Sequence, residues 1–150
     1  MVHINNFMRH AICEARKAFD NTEVPVGAII VLNHQIIAKV HNLSISNIDI
    51  TAHAEILALR EASHKLQARY LTECDLYVTL EPCAMCAYAI SLARIKRLYF
   101  GAYDHKTGGV DHGPCIYTHS STHHKPEYYG GIEERRCSKL LKDFFIKKRL

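Results

Sequence analysis

The chain has 150 residues, with 19 Lys plus Arg against 15 Asp plus Glu and a formal net charge of +4. That length suits one compact domain over 1–150 with room for a real core. No apolar run is long enough to span a bilayer and no repeat or low-complexity tract interrupts the chain, which sets aside membrane-spanning and solenoid classes. Six cysteines without a signal-peptide pattern point to a reducing, cytoplasmic setting more than to a disulfide framework.

Taken in order, residues 4–19 carry apolar side chains at helical spacing through Ile4, Phe7, Met8, Ile12 and Ala15. Two β-branched apolar runs, 24–32 and 35–40, flank Asn33-His34 and predict a hairpin. A helix is expected over 54–65, a buried strand over 76–80, a second helix over 84–93 and another strand over 97–101. From 103 to 130 the pattern dissolves into Gly, Pro, Ser, Thr and His, which predicts a long polar loop at a functional rim. A closing helix carries Lys139, Lys142, Lys147, Lys148 and Arg149 with Phe144 and Phe145 among them. Taken alone, such a run is a solvated helix face before it is a nucleic-acid contact. The order of elements predicts an α/β fold in which the helices at 54 and 84 flank one sheet, their N-termini converging on its edge.

Those two helices open with chemistry. Residues 51–56 read TAHAEI and residues 82–86 read PCAMC, so His53, Cys83 and Cys86 offer three zinc-type ligands with Glu55 beside them. Structural zinc sites usually take four protein ligands, whereas catalytic ones take three and leave a position for water. Cys83 and Cys86 fall in the first turn of their helix, where unpaired amides and the helix dipole favour the thiolate that binds metal. His53 and Glu55, two apart, cannot share one face mid-helix. The consistent geometry puts His53 at the start of its helix and Glu55 in the first turn, with Thr51 as a plausible cap.

A three-ligand zinc lowers the pKa of its water from ~15.7 towards ~7, and Glu55 is placed to shuttle the proton. H-x-E followed by P-C-x-x-C is the known signature of zinc nucleobase deaminases. The competing possibility is a C-x-x-C knuckle closed by a fourth ligand, which leaves Glu55 and Pro82 without a role. Cys13, Cys74, Cys115 and Cys137 lack paired spacing and read as buried or free thiols. Cys115, His119 and His123 would form a second site only on a helix, which Gly113, Pro114 and the run 120–122 oppose.

On these stretches, together with EVPVGA at 23–28, Asn42, FGAYDHKTGG at 100–109 and LLKDFF at 140–145, the chain resembles bacterial tRNA adenosine deaminases of the TadA type, within the cytidine deaminase-like superfamily. The resemblance runs nearly end to end. It implies a three-layer α/β/α sandwich with a central mixed sheet, one zinc (Zn2+) per subunit and a homodimer. It also implies conversion of the wobble adenosine of a tRNA anticodon stem-loop to inosine, principally in an arginine tRNA.

By position, the resemblance makes His53, Cys83 and Cys86 the zinc ligands and Glu55 the proton shuttle. Asn42 would hydrogen-bond the flipped base and Val26 would line its pocket. Asp104 and Lys106 would contact backbone or ribose, and Phe144, Phe145 and Arg149 would help grip the loop. His123 stands where many relatives place an RNA-touching Asn; Ile50, Phe19 and Tyr103 also depart from the common pattern. Core packing for Val26, and turn capping for Asn42 and Asp104, are equally open. The alternatives are a free-base deaminase acting on guanine or cytosine, and a catalytically silent zinc-dependent RNA-binding module.

Overall fold

The computed structural model describes residues 2–149. In chain order it contains α1 (Val2–Asp20), β1 (Gly27–Leu32), β2 (Gln35–His41), α2 (Ala54–Leu66), β3 (Asp75–Leu80), α3 (Ala84–Leu92), β4 (Arg97–Ala102), a short 3₁₀ turn (Ile116–Thr118), β5 (Glu127–Tyr129) and α4 (Glu134–Arg149). The five strands form one mixed sheet in the order β2-β1-β3-β4-β5. β1 runs antiparallel to β2 and to β3, while β3, β4 and β5 are parallel. The expected elements are present within a few residues. β5 is the exception.

Alternation along the central strands assigns their two faces. Ala28, Ile30, Leu76, Val78, Leu98 and Phe100 face α2 and α3 in one apolar cluster. Ile29, Val31, Tyr77 and Tyr99 face α1 and the start of α4 in the other, against Met8, Ala11, Ile12 and Cys137. Because side chains alternate with a period of two, β1, β3 and β4 must be apolar on both faces, and they are. The result is the expected three-layer α/β/α sandwich. At Gly27 a Cβ would meet the Ala11 carbonyl oxygen and the Ala15 nitrogen, so only glycine lets β1 begin this close to α1.

The Asn33-His34 hairpin turn has both residues at positive φ, 50° and 62°, the twist a two-residue turn needs. Parallel connections require crossovers: α3 carries the chain from β3 to β4. α2 and α3 therefore lie on one face, with their N-termini at the same edge of the sheet. Among the described residues no helix is long and apolar enough to cross a membrane.

Candidate active site

His53 and Cys83 are the N-cap residues of α2 and α3, both in extended backbone conformation, and neither folds its side chain back to cap its own helix. Their donor atoms are free to meet each other. His53 Nδ1 lies 3.6 Å from Cys83 Sγ and 3.5 Å from Cys86 Sγ. Thr51, the expected cap of α2, gives its N–H and hydroxyl to Asp49 Oδ1 at 2.9 and 2.7 Å. The N-cap position of α2 belongs to His53 instead.

The three donor atoms fit a tetrahedral zinc. Bonds of about 2.0 Å to nitrogen and 2.3 Å to sulfur require N···S separations of about 3.6 Å, which is what the site presents. All three atoms lie within 4.8 Å of one another, and among the described residues no other such group of His, Cys, Asp or Glu forms. The Cys115, His119, His123 arrangement does not assemble. Cys115 adopts a left-handed conformation with its thiol on the His112 carbonyl, and the His119 ring bonds the Pro114 carbonyl.

The electrostatics suit metal capture. A hydrogen bond from Cys86, joined by one from His53, outweighs burial and lowers the Cys83 thiol to about 4. The same contact, with burial, raises Cys86, so the pair ionises first at Cys83. The His53 ring is raised by its bond to Cys83, against burial. Glu55, in the first turn of α2, is 4% exposed. Burial pushes its carboxyl up to about 7, only partly offset by its own backbone N–H.

His53, Glu55 and Cys83 form the floor of an open cleft of about 730 Å³ whose walls include Val26, Asn42, Tyr103, Leu141, Phe145 and Arg149. Val26 both packs in the core and borders the cleft. Asn42 does two things as well: its Nδ2 donates to the Val24 carbonyl at 3.3 Å, its Oδ1 accepts the Ser44 N–H at 3.1 Å, and it still lines the cleft. The Asp104 carboxylate turns inward onto the N–H groups of Lys106 and Thr107 and the Thr107 hydroxyl, so it caps its loop. Lys106, Lys142 and Arg149 line the rim, and no described acidic side chain pairs with them.

Two expected contacts lie elsewhere. Phe144 is 6% exposed and packs edge-on against Phe19 at 5.7 Å, whereas Phe145 is 43% exposed and borders the cleft. Neighbours on a helix point about 100° apart, and Phe144 is the one turned into the core against Phe19. His123 is exposed but is not among the cleft-lining residues. The adjacent His124 ties this segment to the Ile95 carbonyl at 2.7 Å.

Glu81 is the organising residue that the sequence does not reveal. Its side chain is fully buried. One carboxylate oxygen accepts the N–H groups of Val110, Asp111 and His112 at 2.9–3.2 Å. The other takes the Asp104 N–H at 3.1 Å and stands 2.8 Å from His112 Nδ1. This carboxylate pins the rim loop to the strand end that leads through Pro82 to Cys83. A Cβ at Gly108 would lie 2.5 Å from Glu81 Oε2, so glycine there is a condition of the arrangement.

Residues 1–102 match the family described as the cytidine and deoxycytidylate deaminase zinc-binding region, and the sheet, helix termini and ligand cluster above are the working parts of that class of deaminase. A tRNA-specific adenosine deaminase from Agrobacterium fabrum is 46% identical over 150 residues, 100% of this chain and 99% of that protein. Another from Aquifex aeolicus is 49% identical over 145 residues, 95% of this chain and 94% of that protein. A solved structure from work on A-to-I editing by tRNA:A34 deaminases at the wobble position superposes with a TM-score of 0.89 at 46% identity, covering 91% of this chain and 99% of that one. The chain belongs to the tRNA-specific adenosine deaminase family.

Proposed function

We propose that the protein hydrolyses the wobble adenosine of a tRNA anticodon to inosine, releasing ammonia. The observation that carries this reading is the continuity of one cleft. It runs from His53, Glu55 and Cys83 at the floor to Lys106, Lys142, Phe145 and Arg149 at the rim. A free-base deaminase needs a closed pocket around one ring. Here the outer wall is open, aromatic and cationic, as an unstacked nucleotide still attached to its phosphates requires. A silent RNA-binding module would not need a carboxyl buried against the ligand cluster.

His53, Cys83 and Cys86 would hold one zinc per subunit. When bound, the metal supplies a Lewis acid that makes water nucleophilic near neutral pH. Glu55 takes the proton of the attacking water, delivers it to the purine ring nitrogen and returns the next to the departing amine. A carboxyl that titrates near the working pH does both efficiently, which is what burial of Glu55 provides. Val26 and Asn42 border the base, with the Asn42 side chain held in place between the Ser44 N–H and the Val24 carbonyl. Lys106 and Arg149 position phosphates while Phe145 stacks.

We take the RNA to be an anticodon stem-loop of an arginine tRNA, in keeping with the family resemblance, and the setting to be the cytoplasm. A homodimer is supported by exposed apolar side chains, Met85, Tyr88 and Leu92 on α3 and Ile45, Ile48 and Ile50 in the loop before α2. The test is inosine formation on an anticodon stem-loop, run beside free guanine, cytosine and cytidine. Turnover on the stem-loop alone supports the proposal; turnover on a free base alone replaces it.

A further inference from the structure

The rim loop carries an aromatic relay that the catalytic cluster does not use. Phe100, fully buried on β4, meets the Tyr103 ring edge-on at 5.3 Å. Tyr103 meets His112 at 6.1 Å, and His112 meets His105 at 4.3 Å with the planes 75° apart. His112 is fixed on a third side by Glu81 Oε1. His105 is exposed and lines the cleft between Asp104 and Lys106.

An edge-to-face pair leaves at least one face of the outer ring uncovered, whichever ring supplies the edge. His105 therefore presents a flat, open π-surface at the cleft wall, beside a rim cation. Its position does not depend on its own flexible χ angles alone. It leans on His112, which a fully buried carboxylate holds through both its backbone N–H and its ring. Preorganisation of this kind lowers the entropy lost when a ligand orders the contact. A planar ligand adjoining a phosphate fits both groups, and on the function proposed above that ligand is a nucleobase flanking the reacting adenosine.

We propose that His105 is a stacking platform for a base next to the target adenosine, and that His112, anchored by Glu81, is the positioning residue that holds it. Single-stranded RNA is commonly gripped in this way, since every base has a π-face to stack.

The test is equilibrium binding of zinc-loaded Glu55→Gln protein, which needs no turnover, to three labelled anticodon stem-loops. One is intact; the others carry an abasic residue 5′ or 3′ of the target adenosine. His105→Ala should raise Kd for the intact loop about five- to 150-fold, the loss of one stacked base. His105→Phe, which keeps the π-face and loses the ring nitrogens, should restore most of it. One abasic loop should bind the unsubstituted His105 protein as weakly as the intact loop binds His105→Ala, with no further loss when the two changes are combined. His112→Ala should weaken binding in the same direction and add nothing to His105→Ala; a merely structural role would lower the melting temperature and multiply the losses.

A Kd within twofold after His105→Ala, or losses that multiply with both abasic loops, overturns the platform. Failure to bind any stem-loop overturns it as well. The functional reading fails separately, if the wild-type enzyme forms no inosine while its stem-loop binding depends on His105.

Discussion

His53 Nδ1 lies 3.5 Å from Cys86 Sγ, although 33 residues separate them. Both belong to helix N-termini that follow strands running in the same direction in a mixed sheet, β2 and β3, so the ligand cluster is a consequence of topology and not of a local loop. Purified protein should therefore hold about one zinc per chain, with three protein ligands completing the set. His53→Ala should lose it. Elemental analysis after exhaustive dialysis measures this; two tightly held zincs per chain would mean that residues outside this cluster also bind metal.

Glu55→Gln should retain zinc and bind RNA but lose turnover by ~10² to 10⁴-fold, the usual contribution of a positioned acid and base. The amide preserves the shape of the buried side chain and cannot accept a proton. Single-turnover inosine formation at saturating RNA reads the effect, and near-normal rates would remove Glu55 from the mechanism.

Glu23 should make the loop before α2 sensitive to acid. Burial alone would raise its carboxyl, but hydrogen bonds from Ser46 and Ile45 prevail and hold it below the ordinary value of 4.5. A depressed folded-state pKa contributes stability that is present above the unfolded value and is lost as pH falls through the folded one. Glu23→Gln should thus lower the melting temperature at pH 7, and the gap to wild type should shrink progressively below about pH 4.5. A gap that stays constant to pH 3 would show that the charge of Glu23 does not matter.

The exposed face of α4 should govern RNA capture through two separable effects. Phosphate contacts give a slope in log salt of about −0.7 each on single strands, so Lys142→Ala with Arg149→Ala should raise KM and flatten the salt dependence of binding. Phe145→Ala should weaken binding by ~1 to 3 kcal/mol at every salt concentration, as loss of a stacked base does. If folded charge variants bind the stem-loop normally, α4 is not the capture surface.

Much of this is legible in the sequence. Periodicity gives α2, α3 and the buried strands because each has one regular apolar pattern, and the ligand set follows from residues whose spacing only helix termini can satisfy. Phe144 and Phe145 were legible only as a pair: adjacent helical positions diverge, and the inward choice depends on Phe19, more than a hundred residues away in sequence. β5 has three exposed residues and no apolar pattern; it is a strand only because the edge of β4 offers it hydrogen bonds. The role of Glu81 is likewise invisible, since four of its partners are backbone N–H groups 23 to 31 residues away.

The most direct test of the whole account is to map inosine by mass spectrometry after reaction with a labelled anticodon stem-loop and with a fully paired duplex of the same sequence. Unstacking a paired base costs roughly a few kcal/mol before it can reach a buried floor, and a splayed loop base avoids most of that cost. Inosine should form at the wobble position of the stem-loop, and the duplex should react far more slowly. Equal rates on loop and duplex, or inosine scattered over other adenosines, would contradict the claim that this cleft admits one extruded base from a single-stranded loop.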